Sequence, residues 1–171
     1  MKLRKMLGDP LGAEAKELMS IIETQSKTTL AQWSISYVEE NYLPILGDDA
    51  SSELLDGINA VKKHINKEIT LKDLKVYAKE ARLSTDRVEE PKKLAAAKAI
   101  ATACAVTQTP TNSLGFIFYG CAAYAYSKVG YEESKEVYDE LAIEEMKRAL
   151  KSLKSVAVEN EEKPVKVKWN C

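Results

Sequence analysis

The sequence predicts an all-α protein, a single-domain bundle of about seven helices with a buried central helical hairpin. Three observations carry this. Apolar residues recur at three- and four-residue intervals through most of the chain. Residues 99–127 contain no charge, yet Thr107-Gln108-Thr109-Pro110-Thr111-Asn112 interrupts them midway, so the stretch reads as two buried helices meeting at a turn. Only Val165-Lys166-Val167-Lys168-Trp169 alternates with a period of two.

In chain order, Asp9-Pro10 reads as an N-cap followed by proline at the first helical position. Leu11, Ala15, Leu18, Met19 and Ile22 then form a stripe that ends near Gln25. Ser26 or Thr28 caps the second helix, whose apolar face (Leu30, Trp33, Ile35, Tyr37, Val38, Tyr42) stops at Pro44 and Gly47. The third helix starts at Ser51 or Ser52 and turns Leu54, Leu55, Ile58, Val61 and Ile65 inward. Thr70, with Asp73 three residues on, is a capping box for the fourth helix, with Leu71, Leu74, Tyr77, Ala78 and Ala81 inside. The polar link 83–91 leads to the central hairpin, about 91–107 and 110–129, whose many alanines permit close helix approach. The seventh helix, about 131–156, faces Val137, Leu141, Ile143, Met146, Leu150 and Leu153 inward. Residues 157–171 form an extended tail that lies on the body or on a second copy, where it would make a homodimer.

The chain has 171 residues, 45% apolar and 30% charged, which suits one globular domain with a sizeable core. A net charge of −1 gives no global field toward nucleic acid or an acidic membrane. Residues 99–127 are long enough to cross a bilayer, but Pro110 and the polar residues around it would need partners there, so no membrane span is expected. Residues 1–6 carry charge, but only a few apolar residues follow before Gly8-Asp9-Pro10, so no secretory leader is expected. There are three cysteines and no CxxC pair. Cys104 and Cys121 lie on opposite arms of the hairpin with an axial offset on the order of 11 Å, too far for a disulfide. Both are expected to be free buried thiols, and Cys171 exposed, as suits a reducing cytoplasm.

Chemical motifs are sparse. His64 is the single histidine, too little for a metal site of His, Cys and carboxylate ligands, so neither metal nor cofactor is expected. The paired acids Glu132-Glu133, Asp139-Glu140 and Glu144-Glu145 alternate with Lys135, Lys147 and Arg148, which reads as a solvated face with i,i+4 pairs. No Walker loop, dinucleotide fingerprint or nucleophile motif occurs, so no catalytic residues are assigned and the chain is not read as an enzyme. Gly115 and Gly120 read as close-packing points. The polar interruption has two readings. In one, Thr109 caps a helix begun by Pro110 while Gln108 and Asn112 close the turn by hydrogen bonds. In the other, Gln108, Thr111 and Asn112 form the mouth of a pocket walled by Tyr119 or Phe116, for a ligand or a partner.

Two stretches, KTTLAQWSISYVEENYLPIL (27–46) and TACAVTQTPTNSLGFIFYGCAAYA (102–125), resemble the immunity-5-like proteins encoded in bacterial polymorphic-toxin loci. The resemblance rests on Leu30, Trp33, Leu43 and Pro44, and on an Ala-rich helix that turns through a Pro-Thr-x-x-Leu-Gly segment into a second one, and it spans roughly residues 26–130. Members usually carry histidines where this chain has Thr102, Gln108 and Asn112. The resemblance implies a cytoplasmic protein that binds a protein partner, a toxin domain, with no catalysis of its own. The alternative is a helical domain that binds a small molecule at the Gln108–Asn112 turn. An enclosed cavity reaching Gln108 and Asn112 favours the small molecule, and a turn filled by its own hydrogen bonds favours the protein partner.

Overall fold

A computed structural model describes residues 2–170. It is all-α: seven helices of ten residues or more, one additional helical turn and two short 3-10 turns, with no strand among the described residues. The helices are α1 (Ala13–Ile22), α2 (Lys27–Asn41), the single turn α3 (Leu43–Leu46), α4 (Ser52–Ile65), α5 (Leu71–Ser84), α6 (Pro91–Ala103), α7 (Asn112–Val129) and α8 (Lys135–Val156).

The α6–α7 hairpin is the axis of the bundle, and its two helices form the largest contact in the fold. Ala95, Ala96, Ala97, Ala99, Ala101 and Ala103 are all buried, so α6 lies close to its neighbours on every side. Helices α1, α2 and α8 pack on one side of the hairpin. Helices α4 and α5 pair with each other and rest on α6 at the other. Cys104 and Cys121 are free and buried. Cys171 lies outside the described residues.

Local chemistry sets the helix starts. Ser26, Ser51 and Ser134 are extended at their N-caps and accept from the backbone N–H three residues on. Thr70 and Asp73 make both bonds of the capping box. Three expected starts move, that of α8 from about 131 to Lys135, behind the Ser134 cap. The Asp9 side chain accepts from Leu11 N at 2.9 Å and its carbonyl from Gly12 N, which makes a separate turn, so α1 begins only at Ala13 and Leu11 is exposed. Helix α7 begins at Asn112, two residues after Pro110. Its N-cap, Thr111, already has helical angles (φ −62°, ψ −18°), from which a side chain cannot reach back to a free N–H, and no side-chain cap forms. Thr109 serves through its carbonyl instead, which accepts from Asn112 N at 2.9 Å. The first arm of the hairpin ends at Ala103, not Thr107, because the chain tightens into i→i+3 bonds before Pro110, which itself disfavours a helical Thr109.

Several inward assignments change. Ile143 is exposed, and Glu145, expected on the solvated face of α8, is 0% exposed. The buried stripe of α8 runs Tyr138, Ala142, Glu145, Met146, Ala149, Leu150, Leu153, which keeps Met146, Leu150 and Leu153 of the expected face, leaves Val137 and Leu141 half-buried and turns Ile143 out. Glu145 survives there because three donors surround it. The Tyr42 hydroxyl donates at 2.8 Å, the Tyr37 hydroxyl at 3.0 Å and the Arg148 guanidinium at 2.7 Å. Burial raises the Glu145 pKa, and the bonds from Tyr42, Arg148 and Tyr37 oppose that rise. Burial beside the carboxylate also raises both phenols, so they stay protonated and donate. Leu55, Leu71 and Tyr77 are exposed as well, because the α4–α5 pair is covered from one side only.

The tail lies on its own chain. Gln25, itself buried, donates from Nε2 to the Val158 carbonyl and accepts from Val158 N, while its backbone carbonyl accepts from Val165 N at 2.8 Å. Glu161 sits at the start of α2, where it accepts from Ser26 N, Ser26 Oγ and Thr29 Oγ1 at 2.8, 2.7 and 2.5 Å. A carboxylate there also meets the positive end of the helix dipole. Trp169 Nε1 donates to Glu23.

Candidate functional site

A cleft of about 570 Å³ opens where α5 faces the α6–α7 turn. It exists because the facing positions are small: Ala78 on α5, Ala101 on α6 and Ala105 just beyond α6 leave a hollow that larger side chains would fill. One wall is a stripe on α5, where Lys75, Lys79 and Arg82 at i, i+4 and i+7 stand on one face. Thr85 and Asp86 continue it past the helix end. The opposite wall carries Lys98, Thr102, Gln108, Asn112 and Tyr119.

The polar groups differ in how they are satisfied. Lys98 Nζ donates to Thr85 Oγ1 at 3.1 Å, and Thr102 Oγ1 donates to the Lys98 carbonyl at 2.7 Å. Asn112 Nδ2 reaches the Ala105 carbonyl at 3.4 Å, a long bond that spans the turn. Gln108 Nε2 is buried and has no hydrogen-bond partner. Among the described residues no ion pair within 4.0 Å involves Lys75, Lys79, Arg82 or Lys98. The lining therefore sets four cations against a single carboxylate, Asp86.

The structure brings Gln108, Asn112 and Tyr119 to this one cleft and leaves Thr111 and Phe116 out of its lining. Thr111 serves the backbone, its carbonyl accepting from Leu114 N and Gly115 N. Phe116 is fully buried, against Trp33 at 5.2 Å between ring centroids. The expected closure of the turn by both amides is half realised, since Asn112 bonds across it and Gln108 does not. The cation stripe of α5 lies on the flank of that helix, beside the apolar face that its hydrophobic periodicity marks. The spacing Lys75, Lys79, Arg82 is the sequence signal that finds it.

The described residues hold no cluster of three or more metal-ligating side chains. His64 is occupied locally, with Nδ1 3.1 Å from the Ile69 carbonyl. Cys104 lies in the core, where burial pushes its thiol up to about 12, so it is no thiolate near neutral pH. The cleft itself offers ammonium and guanidinium groups, amides and hydroxyls, the means to hold an anion.

A family profile described as Imm-5 like putative immunity protein matches residues 20–149. The chain belongs to that family. No curated protein and no solved structure gives a significant match. The family match encloses the whole α2–α7 region and most of α8. Within this Imm-5 like fold, Thr102, Gln108 and Asn112 all line the same cleft. In this Imm-5 like chain they are groups that do not ionise near neutral pH, and the charge of the cleft comes from its lysines and Arg82 instead.

Proposed function

We propose that this protein acts as a cytoplasmic immunity protein that neutralises a toxin domain by binding it, without catalysis of its own. Family membership supports the immunity role, and the outer face of α5 supplies the surface. Val76 and Leu83, at i and i+7 opposite the buried stripe of that helix, are 59% and 43% exposed. Lys72, Lys75, Lys79 and Arg82 flank them on one side of the same helix, and Glu80 and Asp73 lie on the other. Two uncovered aliphatic side chains beside a row of cations suit a partner whose surface sets an acidic strip along one edge of an apolar centre. A homodimer through the tail is not part of this reading, since Val165 is buried against the tail's own chain.

The observation that carries the proposal is the exposure of Val76 and Leu83. Its test is co-expression with the toxin domain encoded beside the gene. The wild-type chain should restore growth and co-purify with the toxin. The double variant Val76→Ser, Leu83→Ser keeps the net charge and should lose both while melting normally. Full protection by that variant would place the partner elsewhere, and protection without a complex would overturn binding as the mechanism.

A further inference from the structure

The cleft between α5 and the α6–α7 turn shares Lys75, Lys79 and Arg82 with the outer face of α5, but Lys98, Gln108 and Asn112 belong to the cleft alone. Lys75, Lys79 and Arg82 line one wall and Lys98 the other, and no carboxylate pairs with any of them among the described residues. Like charges gathered around one hollow repel, and the arrangement becomes favourable when a counter-charge enters. Below this rim lie uncharged donors. Gln108 Nε2 is buried without an acceptor in the protein, an arrangement that costs free energy. Asn112 Nδ2 holds only a 3.4 Å bond, weak enough to be exchanged. The volume, about 570 Å³, is that of a small-molecule site, too large for a lone halide and ample for an organic anion.

We propose that this cleft binds a small, multiply charged oxyanion, with its charged groups between the α5 stripe and Lys98 and one oxygen turned toward the Gln108 and Asn112 amides. Arg82 supplies a planar fork suited to two oxygens, and the lysines supply point charges. A turn of the Gln108 side chain gives its N–H the acceptor it lacks. Asp86 is the one lining group that opposes an anion, and it stands at the end of the stripe, past α5. Phosphate and carboxylate share the required chemistry, so both are tested.

The experiment is isothermal calorimetry on the full chain with pyrophosphate in one arm and citrate in the other, ionic strength held constant with sodium chloride. The expected result is saturable binding of one anion per chain by at least one probe, with the preferred arm naming the class. The double variant Lys79→Gln, Arg82→Gln should weaken it at least tenfold, and Gln108→Leu should weaken it severalfold. Lys147→Gln, Lys151→Gln makes the same charge change on exposed positions of α8 and should bind like wild type. Melting curves of all variants without anion verify that they fold. Absence of saturable binding by both probes overturns the proposal, as does equal weakening in the α8 variant, which would mark a diffuse charge effect. The variant Val76→Ser, Leu83→Ser should still bind the anion, so failure of the toxin reading and failure of this one are told apart.

Discussion

A Cβ on residue 120 would lie 1.9 Å from the hydroxyl oxygen of Tyr42 and 2.1 Å from its Cζ. Gly120 on α7 is thus the notch that lets Tyr42 pass, and the ring that fills it carries the hydroxyl that donates to Glu145. Helices α7 and α8 are tied to the α2–α3 corner by one missing side chain.

Gly120→Ala is expected to destabilise the protein by about 1–3 kcal/mol through overpacking. The bond from Tyr42 to Glu145 should be lost with it. Gly115 provides the contrast. A Cβ there meets nothing closer than 3.8 Å, so Gly115→Ala should be neutral or stabilise by up to about 1 kcal/mol through helix propensity. Urea unfolding of both variants checks the pair, and equal midpoints would contradict it.

Glu145 and Glu161 should respond to pH in opposite directions. Burial leaves the folded pKa of Glu145 above its unfolded value, so its contribution is fully present below the unfolded pKa and declines as pH rises through the folded one. Burial also acts to raise Glu161, but donation from Thr29 and Ser26 outweighs it and holds the group low. Its contribution is present above the unfolded carboxylate pKa and lost as pH falls through the folded one. Relative to wild type, Glu161→Gln should therefore be less stable at neutral pH, with the gap closing in acid. Glu145→Gln should lose ground to wild type as pH falls. Denaturant midpoints at a series of pH values decide.

Removing the Glu145 side chain is a different matter. Glu145→Ala leaves the Tyr37 and Tyr42 hydroxyls buried without their acceptor, and each is expected to cost about 1–3 kcal/mol. The double change Glu145→Leu, Tyr42→Phe should recover part of the loss, since both partners then leave together. A double-mutant cycle measures the coupling.

Two threonines that look alike in sequence should behave differently. Thr70→Ala removes the side-chain half of a formed capping box and should cost about 0.5–2 kcal/mol. Thr109 makes no side-chain cap, so Thr109→Ala should stay within about 0.5 kcal/mol of wild type. Thermal melts of the two single variants test the distinction.

Overpacking tests the hairpin. Ala103 and Ala122 are buried, and leucine at either should cost about 1–3 kcal/mol. Unchanged melting in both variants would mean that α6 and α7 are less closely packed than the structure shows.

The elements most legible in the sequence are those whose signals are local. Ser51, Thr70 and the charge-free stretch 99–127 give two helix starts and the buried hairpin from residue type alone. Signals that depend on a distant partner are harder to read. Glu145 looks solvated beside Glu144, because the Tyr37 and Tyr42 hydroxyls that satisfy it lie about a hundred positions earlier in the chain. The alternation of Val165, Val167 and Trp169 suggests a strand, yet Val165 and Trp169 each reach the α1–α2 corner through a single hydrogen bond and no strand forms among the described residues. At the candidate cleft, Gln108 and Asn112 stand out as polar residues in apolar surroundings, and Tyr119 follows as the wall. Lys75, Lys79 and Arg82, which give the cleft most of its charge, come from a helix whose polar face looks ordinary until α5 is set opposite α6.

The clasp of residues 158–165 on Gln25 and Ser26 bears on how the chain is made. The corner between α1 and α2 has its exposed amide and carbonyl groups satisfied by residues translated more than 130 positions later. That corner stays open until residues 158–165 have been made, after every helix of the bundle. Synthesis interrupted before that point yields a bundle with its hairpin assembled and its first corner unlatched, the state that proteases and chaperones would meet.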